Sequence, residues 1–182
     1  MAKKNNYSIR PIKLSDSETL LQWRNKESVR KFMYTDHIIT AEEHNVWLNA
    51  VLMGNVGEFK VFEFEGKPIG IINVVDIDKK NSRCYWGFYV GVDNPPLGVG
   101  GAMEFFALEY IFEELMIRKL YCEVFSFNET VLKLHKKFGF KEEGCFKEHV
   151  LKNEKLEDVV SLAAFSSDWL NVKKKLERIV FR

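Results

Sequence analysis

The sequence predicts an α/β fold of the α+β type, in which helices flank a mixed central sheet of about seven strands. Three observations predict this class. Short apolar runs typical of strands lie on both sides of runs with helical spacing. One helical run separates two strand-like runs and makes them parallel neighbours, whereas tight turns join others into antiparallel hairpins. A chain of 182 residues without a linker or repeat suits a single domain over residues 1–182.

The first third of the chain combines one strand with helices. Residues 7–12 alternate and include Pro11, which has no amide hydrogen to donate to a ladder, so we expect an edge strand. Residues 15–18 form a capping-box pattern that predicts the start of a helix. Residues 29–33 predict a second, short helix, and another capping box at residues 40–43 predicts a third.

The remaining two thirds supply the other strands and helices. The predicted strands cover residues 59–65, 69–77, 84–92, 119–125, 140–150 and 156–165. The predicted helices cover residues 102–115, 128–138 and 167–176. Asn128 is expected to cap the start of the second of these helices, and Gly139 is expected at its C-terminal cap.

Composition excludes several classes of protein. Apolar residues make up 46% and charged residues 29% of the chain, which is typical of a globular protein. A net charge of +1 gives no support to nucleic-acid binding through bulk charge. The chain shows no signal peptide and no apolar run of transmembrane length, so we expect a cytoplasmic protein that does not contact membrane. Cys84, Cys122 and Cys145 are expected to be buried free thiols, and no cluster has metal-ligand spacing.

A glycine-rich stretch from Asn94 to Ala102 organises the sequence. It lies between a strand-like run and a helical run, an arrangement that can hold a phosphate. The N–H groups of a first helical turn have no partner within the helix, and glycine lets the backbone approach an anion closely. A plain tight turn is the competing interpretation. A Walker loop would require a lysine and a hydroxyl at its end, and a dinucleotide fingerprint would require glycine at position 103; neither is present.

Two motifs together resemble the GNAT superfamily of N-acetyltransferases. Gly98-Val99-Gly100 is similar to the coenzyme A loop of that family, Gln/Arg-x-x-Gly-x-Gly/Ala, although Pro95 occupies the Gln/Arg position. Further along, Asn128 is followed by Gly139-Phe140, which resembles the helix that flanks the coenzyme tail in the family. The predicted order of elements from Tyr7 to Phe165 is also similar to the GNAT fold.

This resemblance implies acetyl transfer from acetyl-CoA to an amine, without a metal. It also implies a splay between the fourth and fifth strands, where pantetheine pairs with the backbone of Phe88 and Val90 as an added strand. The pyrophosphate is implied to bind the N–H groups of Val99 to Ala102. The residues implied to bind the cofactor are Phe88, Val90, Gly98, Val99, Gly100, Gly101, Ala102 and Asn128.

The first third of the chain resembles one branch of this family more specifically. The branch consists of bacterial enzymes that acetylate the 4-amino group of a UDP-linked 4-amino-4,6-dideoxy sugar on the pseudaminic acid route. The similar segments are Trp23-Arg24-Asn25, Phe32-Met33-Tyr34 and Thr40 to Leu48. The likeness implies an acceptor site lined by Arg24, Asn25, Met33, Tyr34, Trp47, Tyr85 and Glu123. An aromatic face suits a nucleobase and a cation suits a diphosphate, although Trp47 can also be a core residue and Arg24 an ion-pair partner.

Other acceptors and one other class of protein stay open. Ribosomal-protein N-terminal acetyltransferases and spermine/spermidine acetyltransferases are looser matches to the same segments. A non-catalytic coenzyme A-binding module that serves as a regulator is the alternative from a different class. The sequence also leaves the oligomeric state open, a homodimer included.

Two residues are candidates for proton transfer. Glu123 is a carboxylate in an apolar strand beside the implied gap, which makes it a candidate base. Many relatives place a tyrosine about seven residues beyond the asparagine, where it protonates the departing thiolate, and that position is His135 here. Either His135 is the acid, or the acid is water, Tyr85 or Tyr89. The two lysines after His135 are expected to lower its pKa unless a carboxylate keeps the ring charged.

Overall fold

The computed structural model of the chain describes residues 2–181. The strands are β1 (Tyr7–Pro11), β2 (Glu58–Phe64), β3 (Lys67–Asp78), β4 (Arg83–Val90), β5 (Lys119–Phe125), β6 (Lys141–Lys152) and β7 (Lys155–Phe165). The helices are α1 (Ser17–Asn25), α2 (Glu27–Arg30), α3 (Ala41–Leu52), α4 (Val99–Glu109), α5 (Glu129–Lys137) and α6 (Ser166–Val180). A π-helical turn (Tyr110–Glu114) continues α4. Across the described residues, no helix has both the length and the apolar character needed to span a membrane.

The strands form one sheet in the order β1-β2-β3-β4-β5-β7-β6, which opens between β4 and β5. These two strands are parallel, and the other neighbouring pairs of described strands are antiparallel. They pair at three positions, Arg83–Lys119, Cys84–Leu120 and Tyr85–Tyr121. Beyond Tyr85, β4 continues along β3 while β5 continues along β7. The predicted mixed sheet of seven strands with a splay between the fourth and fifth is therefore confirmed.

Helices cover both faces of the sheet. One face carries α4, α5 and α6 over a large core that includes Trp86 and Leu162. The other face carries α1 and α3 over a smaller core that includes Leu20 and Leu48. Because side chains alternate along a strand, β4 contributes to both cores, with Trp86 in the first and Tyr89 packed against the second. Side chains from both faces therefore border the splay.

The end of β4 fixes the position of α1. Gly91 lies directly against the indole of Trp23, and a Cβ at this glycine would lie 2.0 Å from Trp23 Cδ2. This approach excludes any side chain at position 91. Trp23 is buried in the smaller core. The contact holds the neighbouring Arg24 close to the open edge of β4.

The two predicted capping boxes have different outcomes. The box that starts α3 is confirmed, because Thr40 Oγ1 accepts from the Glu43 N–H at 3.2 Å and Glu43 Oε2 accepts from the Thr40 N–H at 2.8 Å. The prediction of a capping box at residues 15–18 is wrong, since α1 follows a short 3₁₀ turn and has no side-chain cap. The Asp16 carboxylate there accepts two hydrogen bonds from Arg10 of β1, at 2.7 and 2.8 Å. The same carboxylate accepts from the Lys13 N–H at 2.8 Å, so it serves the 3₁₀ turn and a tertiary ion pair and does not cap α1.

The cysteines differ in exposure. Cys84 and Cys122 are buried, as expected, but the expectation is wrong for Cys145, which is exposed. Cys145 lies on β6, an outer strand of the sheet on which nearly every side chain is exposed. The mixed pattern of apolar and charged residues along β6 does not distinguish an edge strand from a covered one.

Candidate active site

A cavity of about 930 Å³ lies at the splay and is bordered by residues from both faces of the sheet. Most of the predicted site residues line it, namely Arg24, Met33, Tyr34, Trp47, Tyr85, Phe88, Val90, Val99, Gly100, Glu123, Asn128 and His135. Four others lie outside its wall, namely Asn25, Gly98, Gly101 and Ala102. Within residues 2–181, no group of three or more His, Cys, Asp or Glu side chains is arranged to hold a metal ion.

The open edge of β4 offers backbone groups to a ligand. Beyond Tyr85 this strand has no partner on its β5 side among the described strands. Phe88 and Val90 lie on that stretch and line the cavity. An extended chain of amides, such as the pantetheine arm of coenzyme A, can add to such an edge as a further strand.

The glycine-rich stretch ends at the first turn of α4. Gly98 is the N-cap residue, with a φ of +83°, in the left-handed region that glycine occupies without strain. Two of the N–H groups expected to hold the pyrophosphate are already engaged, since Val99 donates to the Pro96 carbonyl and Ala102 to the Gly98 carbonyl, each at 3.1 Å. The N–H groups of Gly100-Gly101 have no such partner in the described structure. The backbone site for an anion is therefore narrower than the sequence predicts.

Asn128 stands at the N-cap position of α5, but its side chain makes no capping hydrogen bond. The expectation of a side-chain cap is therefore wrong. Its carbonyl accepts hydrogen bonds from the N–H groups of Val131 and Leu132, each at 3.1 Å, as in an ordinary helix start. Because Asn128 lines the cavity, its side-chain amide is available to a ligand there.

His135 enters the cavity wall from α5, with 3% of its surface exposed. Its Nδ1 lies 2.9 Å from Oε1 of Glu104 on α4, a side chain with no exposed surface. Trp86 and Phe140 pack around the imidazole, with ring centroids 5.4 and 4.9 Å from that of His135. The position of the ring is thus determined by one carboxylate and two aromatic neighbours.

The carboxylate determines the charge of His135. Burial would lower the pKa of the imidazole, but Glu104 and the neighbouring Cys122 raise it to about 10. Burial raises the pKa of Glu104, and His135 acts in the opposite direction on it. The pKa values of His135 and Glu104 are therefore both raised, so the pair holds a proton at neutral pH. The lysines that follow His135 are exposed, and a carboxylate, Glu104, raises the pKa of the ring, which is the alternative that the sequence left open.

Sequence reasoning missed several polar side chains of this region. Glu104 lies behind His135, and Asn73 on β3 and His44 on α3 line the cavity. The available signal was a single polar residue inside an apolar element. Glu104 is the one charged residue in the helical run 99–108, and Asn73 interrupts the apolar run of β3.

Glu123 and two tyrosines form a hydrogen-bonded group at the end of β5. The Tyr34 hydroxyl donates to Glu123 Oε2 at 2.6 Å. The Glu123 N–H donates to the Tyr85 hydroxyl at 3.4 Å. Burial raises the pKa of Tyr34, and its bond to Glu123 raises it further. Burial likewise raises the pKa of Tyr85. Both phenols therefore keep their protons, and Tyr34 is a donor to the carboxylate.

Arg24 and Asn25 are neighbours in sequence with different surroundings. Arg24 lines the cavity and donates from Nη2 to the Thr35 carbonyl at 2.9 Å, while its buried Nη1 has no hydrogen-bond partner in the described structure. Burial, with a smaller effect from Arg30, lowers the pKa of Arg24. Asn25 instead bonds both backbone groups of Ile39, at 2.9 and 2.8 Å. Asn25 braces the segment between α2 and α3 and has no free amide atom facing the cavity.

Comparison with known proteins identifies a family. The acetyltransferase (GNAT) domain family matches residues 9–160. The chain is 32% identical over 142 residues to the acetyltransferase PseH of Campylobacter jejuni subsp. jejuni strain 81-176, covering 77% of this chain and 85% of that protein. It is 33% identical over 107 residues to the SPbeta prophage-derived uncharacterized N-acetyltransferase YokL of Bacillus subtilis strain 168, covering 58% of this chain and 59% of that protein.

A solved structure supports the fold. The spermidine N-acetyltransferase from Vibrio cholerae, crystallised with CoA and spermine, matches with a TM-score of 0.86 over 92% of this chain and 99% of that one. At 21% identity this likeness concerns the fold. The family match covers the splay, the glycine-rich stretch and the helix of His135. The chain therefore belongs to the GNAT family and is an acetyl-CoA-dependent N-acetyltransferase.

Proposed function

We propose that this enzyme transfers the acetyl group of acetyl-CoA directly to the 4-amino group of a UDP-linked 4-amino-4,6-dideoxy-N-acetylhexosamine. The observation that carries the proposal is Arg24, a cation held in the wall of the cavity with one guanidinium nitrogen unpaired. The 32% sequence identity to PseH, over most of both chains, supports the same acceptor class. Because the cysteines are free thiols, we also propose that the enzyme works in a reducing compartment, the cytoplasm.

Charge favours an anionic acceptor on the α1 side of the cavity. Arg24 is half-buried, and Arg30 lies close enough to lower its pKa further. Arg30 Nε is likewise buried without a hydrogen-bond partner in the described structure. Two neighbouring guanidinium groups that lack a carboxylate partner repel each other, and a diphosphate would relieve that repulsion. A free polyamine, which is itself a cation, would increase it.

Aromatic side chains favour a planar group in the same region. Trp47 lines the cavity next to Phe59, with ring centroids 5.3 Å apart in an edge-to-face arrangement. Tyr34 lines it from the segment after α2. Such a surface stacks well on a nucleobase such as uracil and on the apolar face of a sugar. Met33, in the same segment, adds an adaptable apolar contact.

A polyamine is the second candidate acceptor. It is favoured by two carboxylates of the cavity wall, Glu43 and Glu123. Both carboxylates already have partners, because Glu43 accepts from the Thr40 N–H and contacts His37, and Glu123 accepts from Tyr34. Their charge is thus less available to a polycation than that of Arg24 is to an anion. A protein N-terminus remains a third acceptor, to which no feature of the wall gives particular support.

The cofactor fits the backbone of the splay. Acetyl-CoA, when bound, supplies the acetyl thioester. Phe88 and Val90 would hold the pantetheine arm along the open edge of β4, and Gly100-Gly101 would donate to the pyrophosphate at the start of α4. Asn128 would contact the same arm from α5. These contacts use mainly backbone, so the absence of a Gln or Arg at position 95 is compatible with binding.

The proposed reaction needs two proton transfers, and they involve residues on opposite faces of the sheet. Glu123 would accept a proton from the acceptor amine, directly or through water, because only a neutral amine can attack the carbonyl carbon. His135, which lines the cavity from α5, would donate a proton to the thiolate as the carbon–sulfur bond breaks. Tyr85 and Tyr89 are weaker alternatives, since burial raises the pKa of both phenols. Tyr89 also packs against the opposite core.

Replacing Arg24 by alanine is expected to weaken binding of UDP by roughly 10- to 100-fold, since a charge-assisted hydrogen bond is worth about 1.5–3 kcal/mol. The KM for acetyl-CoA should stay unchanged, because its proposed contacts lie on β4, α4 and α5. Isothermal titration with UDP and steady-state kinetics measure the two effects.

The matched control is Arg178→Ala, an arginine exposed on α6 outside the cavity. It should change neither value. If wild-type protein does not bind UDP, or if Arg24→Ala binds it as tightly as wild type, the proposed acceptor is wrong.

A further inference from the structure

Glu104 is a buried acid that the proposed proton transfer does not use directly. It has no exposed surface, and its neighbours Met103 and Phe105 on α4 belong to the large core. An ionisable group is costly to bury unless it is paired, and the one partner of this side chain in the described structure is His135. The cost of burying Glu104 is therefore offset through a residue of the cavity wall.

The hydrogen bonding of Glu104 is incomplete for a purely structural role. Oε1 lies 2.9 Å from His135 Nδ1, whereas Oε2 is buried and has no partner in the described part of the chain. Buried polar atoms in a stabilising network are normally all satisfied, so a buried carboxylate oxygen without a partner calls for an explanation. An apolar residue at position 104 would fill the same core without that cost. The retained carboxylate points to a use at His135.

We propose that Glu104 is a positioning residue, which holds His135 through Nδ1 in its protonated form so that Nε2–H is the proton donor to the departing thiolate. This inference rests on the proposed role of His135 in acetyl transfer. In the step concerned, the carbon–sulfur bond breaks, its electron pair goes to sulfur, and the Nε2 proton moves to that sulfur. The imidazole is left neutral against Glu104 and regains a proton from solvent. The proton lost by the amine leaves separately, through Glu123 or water.

The pKa of the imidazole agrees with this assignment. An unperturbed tyrosine, the residue that many relatives carry at this position, has a pKa of about 10. Glu104 counteracts burial and helps raise the pKa of His135 to about 10, the same proton-donor strength. A histidine can thus replace a phenol as the acid because a carboxylate on another helix adjusts it.

The other groups around the ring do not produce this effect by themselves. On β5, Cys122 adds a smaller contribution in the same direction. On β4, the neighbours are Trp86 and Phe88, and Phe140 follows α5, all without charge. The lysines of α5 that follow His135 are exposed. Glu104 is therefore the charged group to alter.

The direct test is the titration of His135 in the free enzyme, followed by NMR of ¹⁵N-labelled histidine. In wild type we expect an imidazolium that persists well above neutral pH and loses its proton near pH 10, with Nδ1–H in a hydrogen bond. In Glu104→Gln the carboxylate no longer opposes burial and Cys122 alone raises the pKa of the ring, so this pKa should fall well below its wild-type value. Glu109→Gln, an acid of the same helix that pairs with Lys4 and Lys173, should leave the titration unchanged.

The activity of the variants separates positioning from structure. Above the shifted pKa, Glu104→Gln should lose kcat about tenfold for each pH unit, whereas the KM for acetyl-CoA should not change. Glu104→Asp keeps the charge on a shorter side chain, so it should retain the raised pKa of His135 and lose part of kcat. A purely structural Glu104 would alter folding but not the pH profile of kcat.

A neutral His135 at neutral pH in wild type would overturn the inference, and this measurement needs no variant to fold. An unchanged titration in folded Glu104→Gln would overturn it as well. Both results are independent of the acceptor. Failure to acetylate UDP-amino sugars would reject the proposed acceptor and leave the titration as a separate result.

Discussion

Replacing His135 by alanine is expected to lower kcat by roughly two to four orders of magnitude, the usual contribution of general acid–base catalysis. The thiolate would then leave without a proton donor in the splay, since the tyrosines of β4 hold their protons tightly. His135→Tyr should recover much of the lost activity, because a phenol has a pKa of about 10 and is the side chain of many relatives. Steady-state kinetics over a range of pH, with thermal melting as a check on folding, measure these effects.

His149→Ala is a matched control, because this histidine is exposed on β6 and does not line the cavity. It should retain the activity of wild type. If His135→Ala keeps nearly full kcat at every pH, then His135 is not the acid and water takes that role. A folded His135→Tyr without activity would show that the position requires an imidazole.

Gly100→Val is expected to abolish detectable binding of coenzyme A while the fold stays intact. A Cβ at Gly100 would lie 3.4 Å from Leu134 Cδ2, so a first carbon fits, but branched methyl groups would occupy the space in front of the free N–H groups of the α4 turn. Losing one or two charge-assisted hydrogen bonds to the pyrophosphate corresponds to a loss on the order of 100-fold or more. Calorimetric titration with coenzyme A measures the affinity.

Gly144→Val provides the comparison for this substitution. A Cβ at Gly144 on β6 meets no atom within 4 Å, and the residue is outside the cavity wall. This variant should bind coenzyme A as wild type does. Unchanged affinity in a folded Gly100→Val protein would place the pyrophosphate away from the start of α4.

The secondary structure was largely predictable because it depends on local periodicity. The apolar runs of β2 and β3 and the box of Thr40 and Glu43 are patterns within a few residues, and the structure contains each of these features. The gap between β4 and β5 was not derivable from those patterns. It was predicted because the glycine-rich stretch and the Asn128 segment resemble a known family, in which the gap is a shared feature.

Features that depend on distant residues were not predictable. The Asp16 carboxylate accepts from Arg10 and from the Lys13 N–H and does not cap α1, and its pairing with Arg10 depends on how β1 packs beside α1. Glu104 and His135 are 31 residues apart, and only the packing of α4 against α5 brings them to 2.9 Å. The sequence showed the lysines beside His135 but not the carboxylate that raises its pKa, because the sequence neighbours of a residue are not its neighbours in space.

Asn25, a predicted acceptor-site residue, is a further case in which a contact distant in sequence was not predictable. Its position beside Arg24 in the sequence implied a ligand contact, but its amide is used on both backbone groups of Ile39. That bond shapes the segment that carries Tyr34 and so affects the site indirectly. In the proposed acceptor site, the shape of this segment would therefore matter as well as the residues that line the cavity.

The proposed acceptor is tested most directly by acetyl-CoA turnover of the wild-type enzyme with three acceptors: a UDP-4-amino-4,6-dideoxy-N-acetylhexosamine, spermidine, and a peptide with a free N-terminus. We expect rapid, saturable release of coenzyme A with the nucleotide sugar and little release with spermidine or the peptide. UDP should inhibit the reaction in competition with the acceptor. Efficient acetylation of spermidine or the peptide, with no turnover of the nucleotide sugar, would contradict the proposal.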